Sequence, residues 1–202
     1  MNIPGPAGSL EAWLERPTTP SPGLSRAAVL CHPHPLYGGT MHDGVLDVVA
    51  QTLLSAGISC LRFNFRGTGA STGSHSGGPG EREDLGAAIA WVRAELAPQA
   101  VWLAGYSFGA SVVWDYLVAQ DSPSEGIERA LLIAPPNGAM SFAPGDPGCP
   151  VDAVAGSADH FVDTEALTGL TAVTRHILSG ADHFFSADSR TLAQTLTRLI
   201  TG

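Results

Sequence analysis

Short apolar runs rich in Val, Ile, Leu, Phe and Ala alternate along this chain with longer stretches whose apolar residues recur at helical spacing. The runs Ser9–Leu14, Ala27–Cys31, Ser59–Phe65, Ala100–Ala104, Arg129–Ala134, Val151–Ala155 and Val173–Leu178 predict strands. A further short strand near Asn2–Pro4 can pair with Ser9–Leu14 through Gly5-Pro6-Ala7-Gly8. Helices are predicted over His42–Ala56, with Val45, Leu46, Val49, Leu53 and Leu54 apolar, and over Glu81–Ala97, with Leu85, Ala88, Ile89, Val92 and Leu96 on one face. The acidic start Glu81-Arg82-Glu83-Asp84 suits the helix dipole, and Pro98 stops that helix. A buried helix is expected over Ala110–Ala119. A last one is expected over Ser186–Ile200, with Ser186 offered as its cap and Leu192, Leu196, Leu199 and Ile200 on one face.

Alternation of this kind predicts a mostly parallel sheet covered on both faces by helices, with function at the carboxyl ends of the strands. There are no internal repeats and no interdomain linker, so residues 1–202 are read as one domain. The Pro/Gly-rich stretch Ala134–Pro150 is the longest irregular segment and is expected as a surface loop near that rim.

Composition narrows the function classes. With 44% apolar and 14% charged residues the chain is a folded globule. A net charge of −9 argues against nucleic acid, which requires a basic face, and gives no attraction to an anionic membrane surface. No run approaches the ~18 apolar residues of a membrane span, and Met1–Gly5 does not read as a signal peptide. Cys31, Cys60 and Cys149 are too few and too scattered for a disulfide framework, so a cytoplasmic protein with free thiols is expected.

The chemistry is carried by Val101–Gly109, an apolar strand that runs into Gly105-x-Ser107-x-Gly109 and on into a helix. A nucleophilic serine on a sharp strand-to-helix turn has this pattern. In a chain with 24 glycines the pattern alone is weak, and it occurs a second time around Ser71. Context separates the two: Ser71 is followed by the loop-like Ser74–Gly80, whereas Ser107 has the strand before it and the helix after.

A serine hydroxyl needs a base, and the base needs an orienting acid. In a strand–turn–helix serine site they follow in the order Ser, Asp/Glu, His, which leaves His160, His176 and His183. His176 falls inside a strand pattern. His183 lies just past that strand, at the carboxyl rim. Asp159 follows the strand Val151–Ala155 onto the same rim and is the favoured acid; Asp163 is expected to open a helix, Asp152 is inside a strand, and Asp182 adjoins the base. The oxyanion formed on attack must meet preplaced N–H donors. One is the N–H of Phe108. The other comes from the loop after Ala27–Cys31, where Pro33 and Pro35 have none, leaving His34 and Leu36, with His34 favoured. Leu36, Tyr37, Met140, Phe142 and Phe184 are expected to wall a substrate cleft, with Phe161 and Phe108 as further aromatics divided between pocket and core.

These segments resemble a small α/β-hydrolase of the lidless kind, which carries His-Pro-His-Pro-x-x-Gly-Gly-Thr-Met, Arg-Phe-Asn-Phe-Arg-Gly, Gly-x-Ser-Phe-Gly and a late His-Phe-Phe. They stand here as His32–Met41, Arg62–Gly67, Gly105–Gly109 and His183–Phe185. The resemblance implies the α/β-hydrolase fold, a mostly parallel sheet of about eight strands without a cap domain. It also implies Ser107 as nucleophile, Asp159 as acid, His183 as base and an oxyanion donor near His34. It carries no substrate. His32-Pro33 departs from the commoner His-Gly, which leaves the second donor open between His34 and Leu36.

The expectation is therefore a serine hydrolase without cofactor or metal, acting on a small-molecule ester with a short acyl group. An acyltransferase or a peptidase would use the same residues, and a binding protein could share the scaffold. Two rival motifs fail in detail. Gly67-Thr68-Gly69-Ala70-Ser71 lacks the third small residue and the immediate helix of a dinucleotide loop. His32 and His34 lack further ligands at fitting spacing for a metal. Asn64 and Arg66 are read either as contacts to a ligand carboxylate or as ties that hold their own loop.

Overall fold

The computed structural model describes residues 1–20, 23–119, 126–170 and 172–202. Eight strands form one sheet: β1 (Asn2–Gly5), β2 (Gly8–Glu15), β3 (Arg26–Cys31), β4 (Ser59–Phe63), β5 (Ala100–Tyr106), β6 (Ile127–Ile133), β7 (Val151–Gly156) and β8 (Val173–Leu178). Their spatial order is β1-β2-β4-β3-β5-β6-β7-β8. The β1–β2 hairpin is antiparallel, β2 joins β4 antiparallel, and every pairing from β4 to β8 is parallel.

Four helices cover the sheet: α1 (Gly44–Ser55), α2 (Pro79–Leu96), α3 (Phe108–Val118) and α4 (Ser189–Thr201). α1 packs on α4, and α2 packs on α3. Strands enclosed on both faces need apolar side chains at every position, and all seven residues of β5 are buried. α3 is also apolar nearly all round and lies buried along its length, as a helix without a polar face must. Residues 134–150, between β6 and β7, contain neither helix nor strand, so no cap domain is inserted there. No helix of the described residues is long and apolar enough to cross a membrane.

The differences from expectation lie at element ends. β4 stops at Phe63 rather than Phe65. The Asn64 side chain turns inward there, accepting the Met41 N–H at 2.8 Å and donating to Glu11 at 2.7 Å. Arg66 is taken by Asp84, a fully buried carboxylate, and by Glu83. Asn64 and Arg66 therefore spend their polar atoms holding their own loop. Ser186 does not cap α4. Its N–H donates to Asp182, and Asp188 precedes the first helical turn. Asp163 opens only a short 3₁₀ turn, its carboxylate accepting the Glu165 and Ala166 N–H groups.

Candidate active site

The sheet topology brings the carboxyl ends of β3, β5, β7 and β8 to one rim, and each contributes a loop to one site. Ser107 follows β5 directly and precedes the first residue of α3. Its backbone is at φ 53°, ψ −120°, a strained conformation for a residue with a side chain. The flanking glycines make the turn feasible. A Cβ at Gly105 would overlap the Gly109 carbonyl, and a Cβ at Gly109 would overlap the carbonyls of Cys31 and His32. α3 thus starts in direct contact with the end of β3. The Ser107 N–H donates to Ile133 O at 2.9 Å, which fixes the turn against β6.

Ser107 Oγ lies 2.9 Å from His183 Nε2, and His183 Nδ1 lies 2.7 Å from Asp159 Oδ2. The network assigns the proton to Nδ1, facing the carboxylate, and leaves the Nε2 lone pair to accept the serine O–H. Asp159 and His183 are both buried, while Ser107 is half-buried and reachable from solvent. The second oxygen of Asp159 accepts the Phe161 N–H at 2.8 Å, which fixes the plane of the carboxylate. The loop carrying His183 is shaped from below by Asp182, which accepts the Phe184 and Ser186 N–H groups, each at 3.0 Å. It is tied to β5 by the Tyr106 hydroxyl, which donates to His183 O at 3.2 Å. Burial pushes the Tyr106 phenol well above its ordinary range, so it stays a donor.

The other residues considered for these roles are placed elsewhere. His176 sits on β8 with Nε2 2.8 Å from Asp152, and Asp152 also takes Arg129. His160 is exposed. Ser71 is buried and structural: its hydroxyl donates to Asn64 O and accepts the Glu11 N–H.

After β3 the chain makes a single 3₁₀ turn, Pro35–Tyr37. His34 caps it, Nδ1 accepting the Leu36 N–H at 3.2 Å. That occupies the Leu36 donor. The His34 and Phe108 N–H groups have no acceptor among the described residues. The His34 ring is 4.8 Å from the Phe108 ring, so these two donors come from segments in contact. Capping requires His34 to be neutral at Nδ1, and burial, with His75 alongside, holds it below the ordinary histidine range. His32 anchors the base of the loop: Nδ1 lies 2.6 Å from Pro33 O, and Nε2 accepts the Phe65 N–H at 3.0 Å. Neither of its ring nitrogens is left to bind a metal.

Of the expected cleft walls, Leu36, Tyr37 and Phe184 are strongly exposed at the rim. Met140 is half-buried, its sulfur 3.7 Å from Ser111 Oγ on the first turns of α3. Phe142 stacks on Trp114, about 10 Å along α3 from Ser107 at 1.5 Å per residue. Sequence patterning gave no role to His75. Its ring lies 4.9 Å from His34 and 5.5 Å from Phe108, with Nδ1 2.9 Å from the buried Glu81 carboxylate. The only local sign was the loop-like Ser74–Gly80 itself, because these contacts join three separate segments.

Known proteins resemble this chain in sequence and overall structure. An uncharacterized protein of Rickettsia prowazekii is 32% identical over 200 residues, covering 90% of this chain and 79% of that protein. A crystal structure of an α/β serine hydrolase without lid from Xanthomonas campestris superposes with a TM-score of 0.87 at 33% identity, covering 98% of this chain and 91% of that one. An α/β serine hydrolase homologue from Coxiella burnetii gives the same TM-score at 34% identity, covering 98% and 95%. The model of the alpha/beta hydrolase family matches residues 28–201, from the first central strand to the last helix. On sequence, topology and overall structure alike, the chain belongs to the α/β-hydrolase family.

Proposed function

We propose that the protein is a carboxylesterase that transfers a short acyl group to water through Ser107. The observation that carries this reading is the unbroken chain Ser107 Oγ–His183–Asp159, at 2.9 and 2.7 Å, beside two backbone N–H groups without acceptors. Ser107 Oγ attacks the ester carbonyl while His183 Nε2 takes its proton. The Phe108 and His34 N–H groups receive the developing oxyanion. His183 then returns the proton to the leaving alkoxide, and the bond from carbonyl carbon to alcohol oxygen breaks, leaving acyl-Ser107. Water, deprotonated by the same imidazole, hydrolyses that ester and restores the serine. Asp159 keeps Nδ1 protonated and stabilises the imidazolium formed in each half-reaction. No step calls for a metal or a cofactor.

Esters are favoured over amides because an alkoxide leaves more readily than an amine anion. Residues 134–150 form a loop without helix or strand, so among the described residues no cap is inserted there to enclose the acyl group. An open site realises only part of the ~0.8 kcal/mol available per buried methylene, which favours short acyl chains. The test is an organophosphonate probe with a panel of soluble esters. One adduct should form, on Ser107, and Ser107→Ala should lose both labelling and turnover. Labelling elsewhere, or ester turnover that survives Ser107→Ala, would remove the assignment.

A further inference from the structure

Among the described residues large apolar side chains are exposed at seven positions, and four of them, Leu36, Tyr37, Phe161 and Phe184, lie in the loops that carry the site. Phe161 and Phe184 are 47% and 63% exposed, yet neither is on a loose segment. The Phe161 N–H is held by Asp159 and the Phe184 N–H by Asp182, so both rings are presented to water from pinned backbone. Both also pack on the base: their ring centroids lie 4.8 and 5.4 Å from the His183 ring. Clustered apolar exposure of this kind marks a surface built to be covered.

What covers it follows from the direction of proton transfer. His183 Nε2 must reach the leaving oxygen to protonate it, so that oxygen sits at hydrogen-bond distance from the imidazole. The substituent on the oxygen then passes beside the rings that flank the imidazole. The acyl group, with its carbonyl turned toward the Phe108 and His34 N–H groups, lies on the other side. Phe161 and Phe184 therefore meet the alcohol half of the ester.

Charge restricts that half further. The chain has 10 basic residues besides histidine, all of them Arg; none falls in the rim loops 32–43, 134–150, 157–163 or 179–188, and Arg66, in the rim loop after β4, is committed to Asp84 and Glu83. Asp182, under Phe184, is held ionised by the hydrogen bonds it accepts from Ser186 and Phe184. A phosphate or carboxylate on the alcohol would meet this carboxylate and find no cation to pair with.

The geometry points to esters of uncharged aromatic alcohols as the substrate class, with Phe161 and Phe184 determining leaving-group specificity. This rests on the proposed esterase reading. Methyl acetate, benzyl acetate and 4-carboxybenzyl acetate form the same acetyl-enzyme, so kcat/KM isolates the acylation step in which the alcohol leaves. Methanol and benzyl alcohol are leaving groups of closely similar acidity, so their ratio reads recognition. Wild type should favour benzyl over methyl acetate by about tenfold or more, the scale of an aromatic contact with burial. Phe161→Ala and Phe184→Ala should each lower that ratio at least about threefold, and Phe184→Leu, which keeps apolar bulk, should lower it less. The 4-carboxybenzyl ester should be slower than benzyl acetate, with the gap narrowing at high salt. Equal, Ser107-dependent cleavage of the methyl and benzyl esters would leave the esterase reading standing and overturn this proposal. So would a ratio unmoved in both alanine variants, or a 4-carboxybenzyl ester cleaved as fast as benzyl acetate. Absence of Ser107-dependent turnover of any of the three esters would overturn both.

Discussion

His32 makes the stability of this protein depend on pH between about 4 and 6.5. It is fully buried at the end of β3, packed on Phe65 with ring centroids 4.7 Å apart, and both nitrogens are committed. Nδ1–H donates to Pro33 O, and Nε2 must keep its lone pair to accept the Phe65 N–H. Only the neutral ring satisfies both, and burial pushes its pKa down from 6.5 to about 4. The unfolded chain takes up this proton near pH 6.5, while the folded protein refuses it until about pH 4. Above pH 6.5 the ring is neutral in both states and its contribution is complete. As pH falls through the window the unfolded state binds more protons, so folding stability falls. At 1.36 kcal/mol per pKa unit, acidifying from pH 7.5 to 4.5 costs about 2–3 kcal/mol from this residue alone. That is a large share of the ~5–15 kcal/mol typical of a domain. Urea unfolding at pH 7.5, 6.5, 5.5 and 4.5 should show the wild-type midpoint dropping with little change in m. His32→Gln should start less stable at pH 7.5 and lose distinctly less over the same range. His34, also held neutral by burial, adds a smaller loss of the same sign that both proteins share. Parallel pH dependences for wild type and His32→Gln would refute the reasoning.

The remaining predictions concern the site and its turn. His183→Ala should reduce kcat by roughly four to six orders of magnitude with the fold intact, and Asp159→Asn by about four, as the tautomer is lost. Asp163→Asn should stay within a few-fold, since its carboxylate caps the Glu165 and Ala166 N–H groups; steady-state kinetics with circular dichroism checks all three, and a larger loss for Asp163→Asn than for Asp159→Asn would exchange their roles. Gly109→Ala should destabilise by about 2 kcal/mol or more, because its Cβ would overlap the carbonyls of Cys31 and His32. Thermal melts against Ala110→Gly, a control on the same helix, would expose a smaller effect. Across soluble esters of one alcohol, kcat/KM should peak at about two to four acyl carbons and fall thereafter, on the partial gain per methylene in an open site; an optimum at long chains would show an enclosed acyl pocket.

The fold was legible where burial is symmetric. β5 is buried at every position, and β3, β6 and β7 are buried and apolar over most of their length, broken by Arg26, by Glu128 and Arg129, and by Asp152, so they read as apolar runs, and the parallel architecture followed from their alternation with helices. Strand order was not legible. The antiparallel joining of β2 to β4, and the place of β3 between β4 and β5, depend on contacts far apart in sequence. Element ends failed where a side chain competes with the backbone pattern. Asn64 still gives its N–H to Glu11 O, as a strand residue would, but its amide is drawn to Met41 and Glu11, and the strand closes two residues early. Ser186 and Asp188 are both good caps by type; the helix starts after Asp188, whose side chain makes no capping hydrogen bond, while Ser186 belongs to the turn held by Asp182. The candidate site residues were legible because chain order and strand ends restrict them: Ser107 is set apart from Ser71 by the strand before it and the helix after, Asp159 from Asp163 by its nearness to the end of β7, and His183 is the histidine past β8. The aromatics were not, because Phe142 on Trp114 and Phe184 in water are the same residue type in equally irregular segments. Only the packing shows which supports α3 and which stands free beside His183. The parts of the site that set recognition are thus the parts least constrained by the fold. The turn at Ser107 needs its two flanking glycines, but nothing in the sheet requires a phenylalanine at position 161 or 184. On the proposed reading, substrate choice lies in those unconstrained positions, and exchanging them should alter which alcohol leaves while the acyl transfer still runs through Ser107, His183 and Asp159.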